Sequence, residues 1–421
     1  MKHNIDENIN QLTNHLFREH YGKMVSYLSQ KYGYQEIENI LDAVQESFET
    51  ALRAWKFSEI PNNPFAWLYK VANNKLINKI KQNHTAKVYI GHLPVSEDVF
   101  EEYKEQDAED GLLKLLLFFS KADFSERNKI IISLYFLCGF GYTEISNALF
   151  LKVETIKKII LRSKIAIQEF AKKYDNFKIE NSDKDLEHLL KIIYLMFNEG
   201  YKSSQQNGTI NSEVCYEAIR LGKLINKYYQ GNTETNSLLA LLFFNASRFP
   251  ARIENDIWVT LESQNRELWD KQLISEGFYY LKKARSKECQ LNKYYLEALV
   301  SSLHCTSKTY ELTDWKTIVF IYRQLEIIEP GSVLIQLNRI IAESNYECIE
   351  KLMKEVNSIE NHTNEELLFT LFMTKAHFYV KLHKFNKAIN CYLQSVNYSK
   401  NKIDKNYIAQ RIVHLKKVAT T

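Results

Sequence analysis

The sequence predicts an all-α protein, and three observations carry that prediction. Only 5 prolines and 12 glycines punctuate 421 residues, too few for a chain built on β-turns. Apolar residues recur at three- and four-residue intervals through most of the length, the spacing of a helix face. The longest apolar runs, LLKLLLFF and LLALLFF, fall far short of the roughly 20 residues that span a bilayer, so neither a membrane helix nor a membrane partner is expected.

Composition narrows the class further. A charged share of 25% and an apolar share of 45% are ordinary for a soluble globular chain. Net charge is only +4, so any nucleic-acid footprint must be local. The opening residues, MKHNIDENIN, lack the apolar centre of a signal peptide. Six scattered cysteines without a CxxC pair read as reduced thiols in a cytoplasmic protein.

The first expected domain covers residues 1–88. In IENILDAVQESFETALRAW, Ile37, Ile40, Leu41, Val44, Phe48, Leu52 and Trp55 fall on one helical face. The opposite face carries Asp42, Gln45, Glu46 and Glu49, an acidic and amide surface. A second helix is expected from Pro64 to Lys81, with Asn63 as its cap and proline in its first turn. Phe65, Leu68, Ala72 and Leu76 form its apolar side. Trp67, Lys70, Asn74, Asn78 and Lys81 form another stripe, combining an indole, amides and ammonium groups. Single-stranded DNA calls for that combination, because aromatics stack on bases, cations follow phosphates and amides reach base edges. A solvated face with one half-buried tryptophan gives the same pattern.

An acidic linker is expected at 89–110, followed by a second domain at 111–175. There Tyr142 to Leu149 reads as one helix, Phe150 to Lys152 as a turn, and Val153 to about Ala171 as another helix. Val153, Ile156 and Ile160 supply the core edge of the latter. Glu154, Thr155, Lys157, Lys158, Leu161 and Arg162 are left on its surface, where a recognition helix keeps side chains free for base edges and phosphates.

The remaining chain divides into a helical domain at 183–315 and repeats at 316–421. In TKAHFYVKLHKFNKAINCYLQSV, Ala376, Tyr379, Leu382, Phe385, Ala388, Tyr392 and Ser395 take the small and aromatic packing positions of a tetratricopeptide repeat. LNRIIAESNYECIEKLMKEV is a looser copy in which Tyr346 corresponds to Phe385. Such stacked helix pairs offer a concave surface to a protein or peptide partner. Asn198, Glu199, Arg220, Arg248, Arg252, Glu262 and Arg266 could gather in a pocket, although buried Arg–Glu pairs are more often structural. No HExxH, zinc-spaced Cys/His set or phosphate-binding glycine loop is present. No catalytic residue, metal or cofactor is therefore expected, and the chain is not read as an enzyme.

DAVQESFETALRAW followed by PFAWLYKVANNKLINKIK resembles the paired motifs of extracytoplasmic-function (ECF) sigma factors, small members of the sigma-70 family of RNA polymerase initiation subunits. The resemblance implies that Asp42, Gln45 and Glu46, with Glu49 on the same face, dock on core RNA polymerase. It implies that the Pro64–Lys81 helix opens promoter DNA at the −10 element. Asn74 would lie near the non-template strand and Trp67 at the upstream edge of the bubble. The helix pair at 142–171 resembles the region that reads the −35 element through Glu154, Thr155, Lys157, Lys158 and Arg162, with Phe150 where the family favours glycine. YLMFNEGY, EAIRLGKLI, LLALLFFNASRFPAR, LESQNRELWD and TDWKTIVFIYRQL together resemble the C-terminal extension of one subgroup, which implies a regulatory role for that block. A stand-alone helix-turn-helix regulator with a repeat-built sensor domain is the alternative.

Overall fold

A computed structural model describes residues 2–56, 59–85, 105–121, 123–149, 151–173, 183–202, 210–254, 257–285, 291–360, 363, 365–399 and 402–420. Helices dominate it, and the chain divides into two compact units, residues 1–147 with 151–195, and residues 148–150 with 196–421.

The first unit begins with α1 (Lys2–Tyr32), α2 (Ile37–Ala54) and α3 (Pro64–Thr85). In α2, Ile37, Ile40, Leu41, Val44 and Phe48 are buried, as the apolar spacing requires. Leu68, Ala72 and Leu76 of α3 are fully buried, and the two helices pack on one another. Asn63 caps α3, accepting the Ala66 amide at 3.0 Å. Burying each large aliphatic side chain contributes on the order of 1.5–3 kcal/mol.

Next come α4 (Glu105–Lys121), α5 (Glu126–Phe136), α6 (Tyr142–Leu149) and α7 (Val153–Lys173). The leucines and phenylalanines of LLKLLLFF are all buried, which makes α4 an inner helix that packs on both α1 and α5. It starts at Glu105, so the last six residues of the expected linker are helical; acidic residues suit a helix's first turn, where the backbone dipole is positive. Residues 89–104 and Phe150 lie outside the described residues. The expected first and second domains share this unit. An added Cβ at Gly22 of α1 would meet the Leu137 carbonyl oxygen at 2.1 Å, and one at Gly139 would meet the Phe17 ring at 2.8 Å. Lys164 of α7 reaches Glu38 of α2 at 3.8 Å, and Gln168 donates to the Gln35 carbonyl at 3.4 Å. The next helix, α8 (Asp183–Lys202), begins in this unit and ends in the second.

The second unit contains α9 (Ser212–Tyr228), α10 (Thr233–Ala246), a two-stranded antiparallel hairpin of β1 (Ile253–Glu254) and β2 (Ile257–Trp258), α11 (Lys271–Ala284) and α12 (Lys293–Thr306). Almost every residue of α10 is buried, because α9, α11 and α12 all pack on it. Gly277 lets α11 approach α10 so closely that a Cβ there would lie 2.6 Å from the Phe244 ring.

The helices α13 (Trp315–Ile328), α14 (Val333–Glu343), α15 (Ile349–Glu360), α16 (Glu365–Lys381), α17 (Phe385–Tyr398) and α18 (Lys402–Thr420) follow. Each packs on its neighbours in sequence, with successive apolar clusters between them. Fully buried Ala376 and Ala388 let α16 and α17 approach, and Tyr392 fills the space beside them. Tyr346, the expected counterpart of Phe385, is 41% exposed, whereas Phe385 packs into its cluster. A buried ionic cluster fixes α14, where Arg339 binds Glu326 at 2.7 Å, Glu343 at 2.8 Å and also Glu355. Strand β2 packs against α18, bringing the hairpin onto the last helix.

Candidate nucleic-acid and polymerase interface

Two helix faces of α2 and α3 define the first part of the site. Asp42, Gln45 and Glu49 are exposed on α2, with Glu46 half-buried among them. This face is joined to α3, since Glu46 accepts Lys79 at 2.9 Å and Lys75 at 3.2 Å, while Lys79 lies 3.8 Å from Asp42. The Lys79 hydrogen bond, with Lys75 adding to it and burial opposing, holds the Glu46 carboxyl below its usual range. Gln45 donates to Glu49 at 3.2 Å. Sequence reasoning missed Lys75 and Lys79; their i,i+4 spacing opposite two acids was the available signal.

The other face of α3 carries Lys70, Asn74, Asn78 and Lys81, all exposed, with spacings of four, four and three residues that keep them on one stripe. Trp67 continues it at the N-terminal end. Its ring is half-buried and tilts against Trp55, with centroids 5.5 Å apart. Leu68, Ala72 and Leu76 anchor the helix from behind, so the stripe is free of core duties. An anchored helix with an exposed row of cations and amides, flanked by an indole, can hold a phosphodiester chain and stack or hydrogen-bond unpaired bases.

The second part is α7. Lys152 carbonyl accepts the amides of Thr155 at 2.9 Å and Ile156 at 3.2 Å, and the Ser146 hydroxyl donates to the Leu151 carbonyl at 2.5 Å, which ties the start of α7 to α6. Ile156 and Ile160 face the core. Glu154, Thr155, Lys157, Lys158 and Arg162 are all exposed on the outer side of the first three turns. Leu161 and Ile165, 56% and 50% exposed, interrupt that basic face with apolar surface.

Residues 16–85, which span most of α1 and all of α2 and α3, match sigma-70 region 2. The match supports a sigma-70 family member. Residues 185–285 match a second family, described only as one of unknown function, DUF6596. An uncharacterized protein of Rhizobium meliloti (strain 1021) is 28% identical over 330 residues, covering 76% of each chain. No solved structure matches. Region 2 is the part of sigma-70 proteins concerned with core RNA polymerase and promoter DNA, so the match supports a role in transcription initiation.

The expected gathering of charged residues in the second half divides. Arg220 pairs with Glu217, three residues before it, at 2.8 Å. The remaining arginines are held by neutral groups and rings rather than by glutamates. Arg248 donates to Gln264 at 3.2 Å, Arg252 stacks on Tyr201 at 3.6 Å, and Arg266 donates to the carbonyls of His304 at 2.6 Å and Ser307 at 2.7 Å. Beside them, burial pushes the Cys305 thiol up to about 11 despite Arg248, which leaves it protonated and unsuited to nucleophilic attack. Among the described residues, no helix is long and apolar enough to cross a membrane.

Proposed function

We propose that the chain is an ECF-type sigma factor that binds core RNA polymerase and directs initiation at particular promoters. The observation that carries this reading is the region 2 match on a helix pair, one helix exposing Asp42, Gln45 and Glu49 beside Glu46, the other exposing Lys70, Asn74, Asn78 and Lys81. In this reading the α2 face docks on polymerase. The α3 stripe, with Trp67, takes up the unpaired strand of the −10 element; unstacking costs a few kcal/mol and is offset by stacking and hydrogen bonds on the captured bases.

The helix pair α6–α7 acts as a helix-turn-helix in this scheme. Glu154 and Thr155, in the first turn of α7, reach base edges of the −35 element in the major groove, while Lys157, Lys158 and Arg162 hold phosphates. Exposed Leu161 suits contact with a thymine methyl group. The helical extension, with its tetratricopeptide-like pairs, regulates access to these surfaces in cis, and a protein or peptide partner of its repeats modulates that access.

Run-off transcription with purified core enzyme and a promoter library tests the reading. Specific initiation by the full chain, lost on Asn74→Ala with Lys70→Ala, is the expected result. DNA binding without any polymerase association would instead favour a stand-alone regulator. Removing residues after Leu195 tests the extension: promoter activity identical to that of the full chain would exclude regulation in cis.

A further inference from the structure

The second unit carries a half-open cavity of about 510 Å³, within the range of small-molecule sites. Its walls come from the loop after β2 and from α12, α13, α14, α16, α17 and α18. The interior is aromatic on several sides, through Tyr310, Trp315, Tyr322, Tyr392 and Tyr407. One cation, Arg411, lines it, and one carboxylate, Glu262, lies exposed on the loop.

Two histidines also belong to the lining, beside the polar Thr260, Ser263, Asn338, Thr370 and Thr374. His304 is only 7% exposed, and burial, then Arg248 and Arg266, lowers its pKa to about 3. Burial, then Lys381 and Arg411, lowers that of His377 to about 4. Both imidazoles are therefore neutral at physiological pH, and cations stand beside each. Those cations are held by neutral oxygens: Arg248 by Gln264, Arg266 by two carbonyls and Thr313, and Lys381 by the Ser344 carbonyl and hydroxyl, each at 3.1 Å. Glu297 and Glu311 act on Tyr322 and Arg266 respectively but do not line the cavity.

Two buried nitrogens of the lining, His304 Nδ1 and Arg411 Nε, have no hydrogen-bond partner among the described residues. A buried donor left unpaired is costly, and more so on a charged group, so an acceptor delivered by a ligand would be stabilised there. Aromatic walls favour a flat apolar body, and Arg411, hydrogen-bonded to Tyr392 and acted on by Glu262 from the loop, still offers its unpaired Nε to an anionic acceptor.

We propose that this cavity binds a small aromatic carboxylic acid, with the carboxylate on Arg411 and the ring among Tyr310, Trp315 and Tyr407. The assignment stands on the second unit alone and is independent of what the α3 stripe or α7 binds.

Titration calorimetry on the full chain tests it with benzoate, 4-hydroxybenzoate and indole-3-acetate as probes, each against its neutral amide. At least one acid binds, and more tightly than its amide by about tenfold or more. Arg411→Gln removes that preference while Arg411→Lys retains part of it. Thr370→Trp, which fills the cavity, abolishes binding of the acid in a chain whose helical circular dichroism is unchanged. Absence of binding by all three acids at millimolar concentration, equal binding of acid and amide, or undiminished binding to the cavity-filled variant would each overturn the proposal.

Discussion

Lys157 and Lys158 stand exposed one turn into α7, while Ile156 between Thr155 and Lys157 is fully buried. If they hold phosphates, Lys157→Ala weakens binding to every promoter sequence by a similar factor, and the slope of log affinity against log salt falls by about 1. Thr155→Ala should alter which sequence is preferred and leave that slope alone. Both are read by fluorescence anisotropy over a salt series. Arg339 belongs to a different class, since it is 8% exposed and holds Glu343, itself only 4% exposed. Arg339→Ala leaves that buried carboxylate with the largely exposed Arg323, at 2.9 Å, as its remaining cation, and should cost about 1–3 kcal/mol in denaturant unfolding. His304 and His377 each give the second unit a loss of stability on the acid side. An unfolded histidine takes its proton near pH 6.5, whereas these two stay neutral in the fold until about 3 and about 4. Their contribution is thus fully present above roughly pH 6.5 and is lost as pH falls toward those lower values. The melting temperature should drop through that window, and His304→Asn should flatten the drop.

Among the elements, two glycines mark helix contacts with no room for a methyl group. At Gly22 the obstacle is the Leu137 backbone carbonyl, which cannot swing aside; at Gly277 it is the Phe244 ring. Alanine at either position should destabilise the protein by about 1–3 kcal/mol despite alanine's better helix propensity. Chemical denaturation with α-helical signal measures both. The same elements separate what the sequence discloses from what it hides. Helices α2, α3, α6 and α7 were legible because each has one face buried and the other exposed, and α3 also carries Asn63 and Pro64 at its start. The stripe on α3 was legible for the same reason, as its exposed residues are the complement of Leu68, Ala72 and Leu76. The start of α4 was not, because an acidic run reads equally as solvated linker and as helix N-terminus. Tyr346 misled because an aromatic matched to a repeat position by spacing alone still needs a neighbouring helix at the right height to bury it.

At the scale of the whole molecule, the first unit joins its two candidate DNA-binding elements through Gly22, Gly139, Lys164 and Gln168. A compact unit of about 190 residues has a radius of gyration near 16 Å. Promoter elements about 25 base pairs apart are separated by roughly 85 Å at about 3.4 Å per pair. If both elements are read together, α7 must leave Glu38 and Gln35 in the promoter complex. Cysteines placed at Glu38 and Lys164 and joined by a short bismaleimide, in a background without other reactive thiols, should therefore abolish initiation at promoters that need the −35 element, while cleavage of a reversible linker restores it. The cavity of the second unit was invisible to sequence reasoning for a related reason. Its lining runs from Thr260 to Arg411, and no local period connects residues that meet only once the helices are stacked.

The last helix gives that cavity a particular vulnerability. Because α18 supplies both Tyr407 and Arg411, the wall that would grip an occupant is a helix packed on α17 and the hairpin. Local opening of α18 away from α17 and the hairpin would widen the mouth of the cavity without disturbing the inner helices. Amide exchange along Lys402–Thr420 would then slow as occupancy rises, turning this helix into a gauge of whether the cavity is filled.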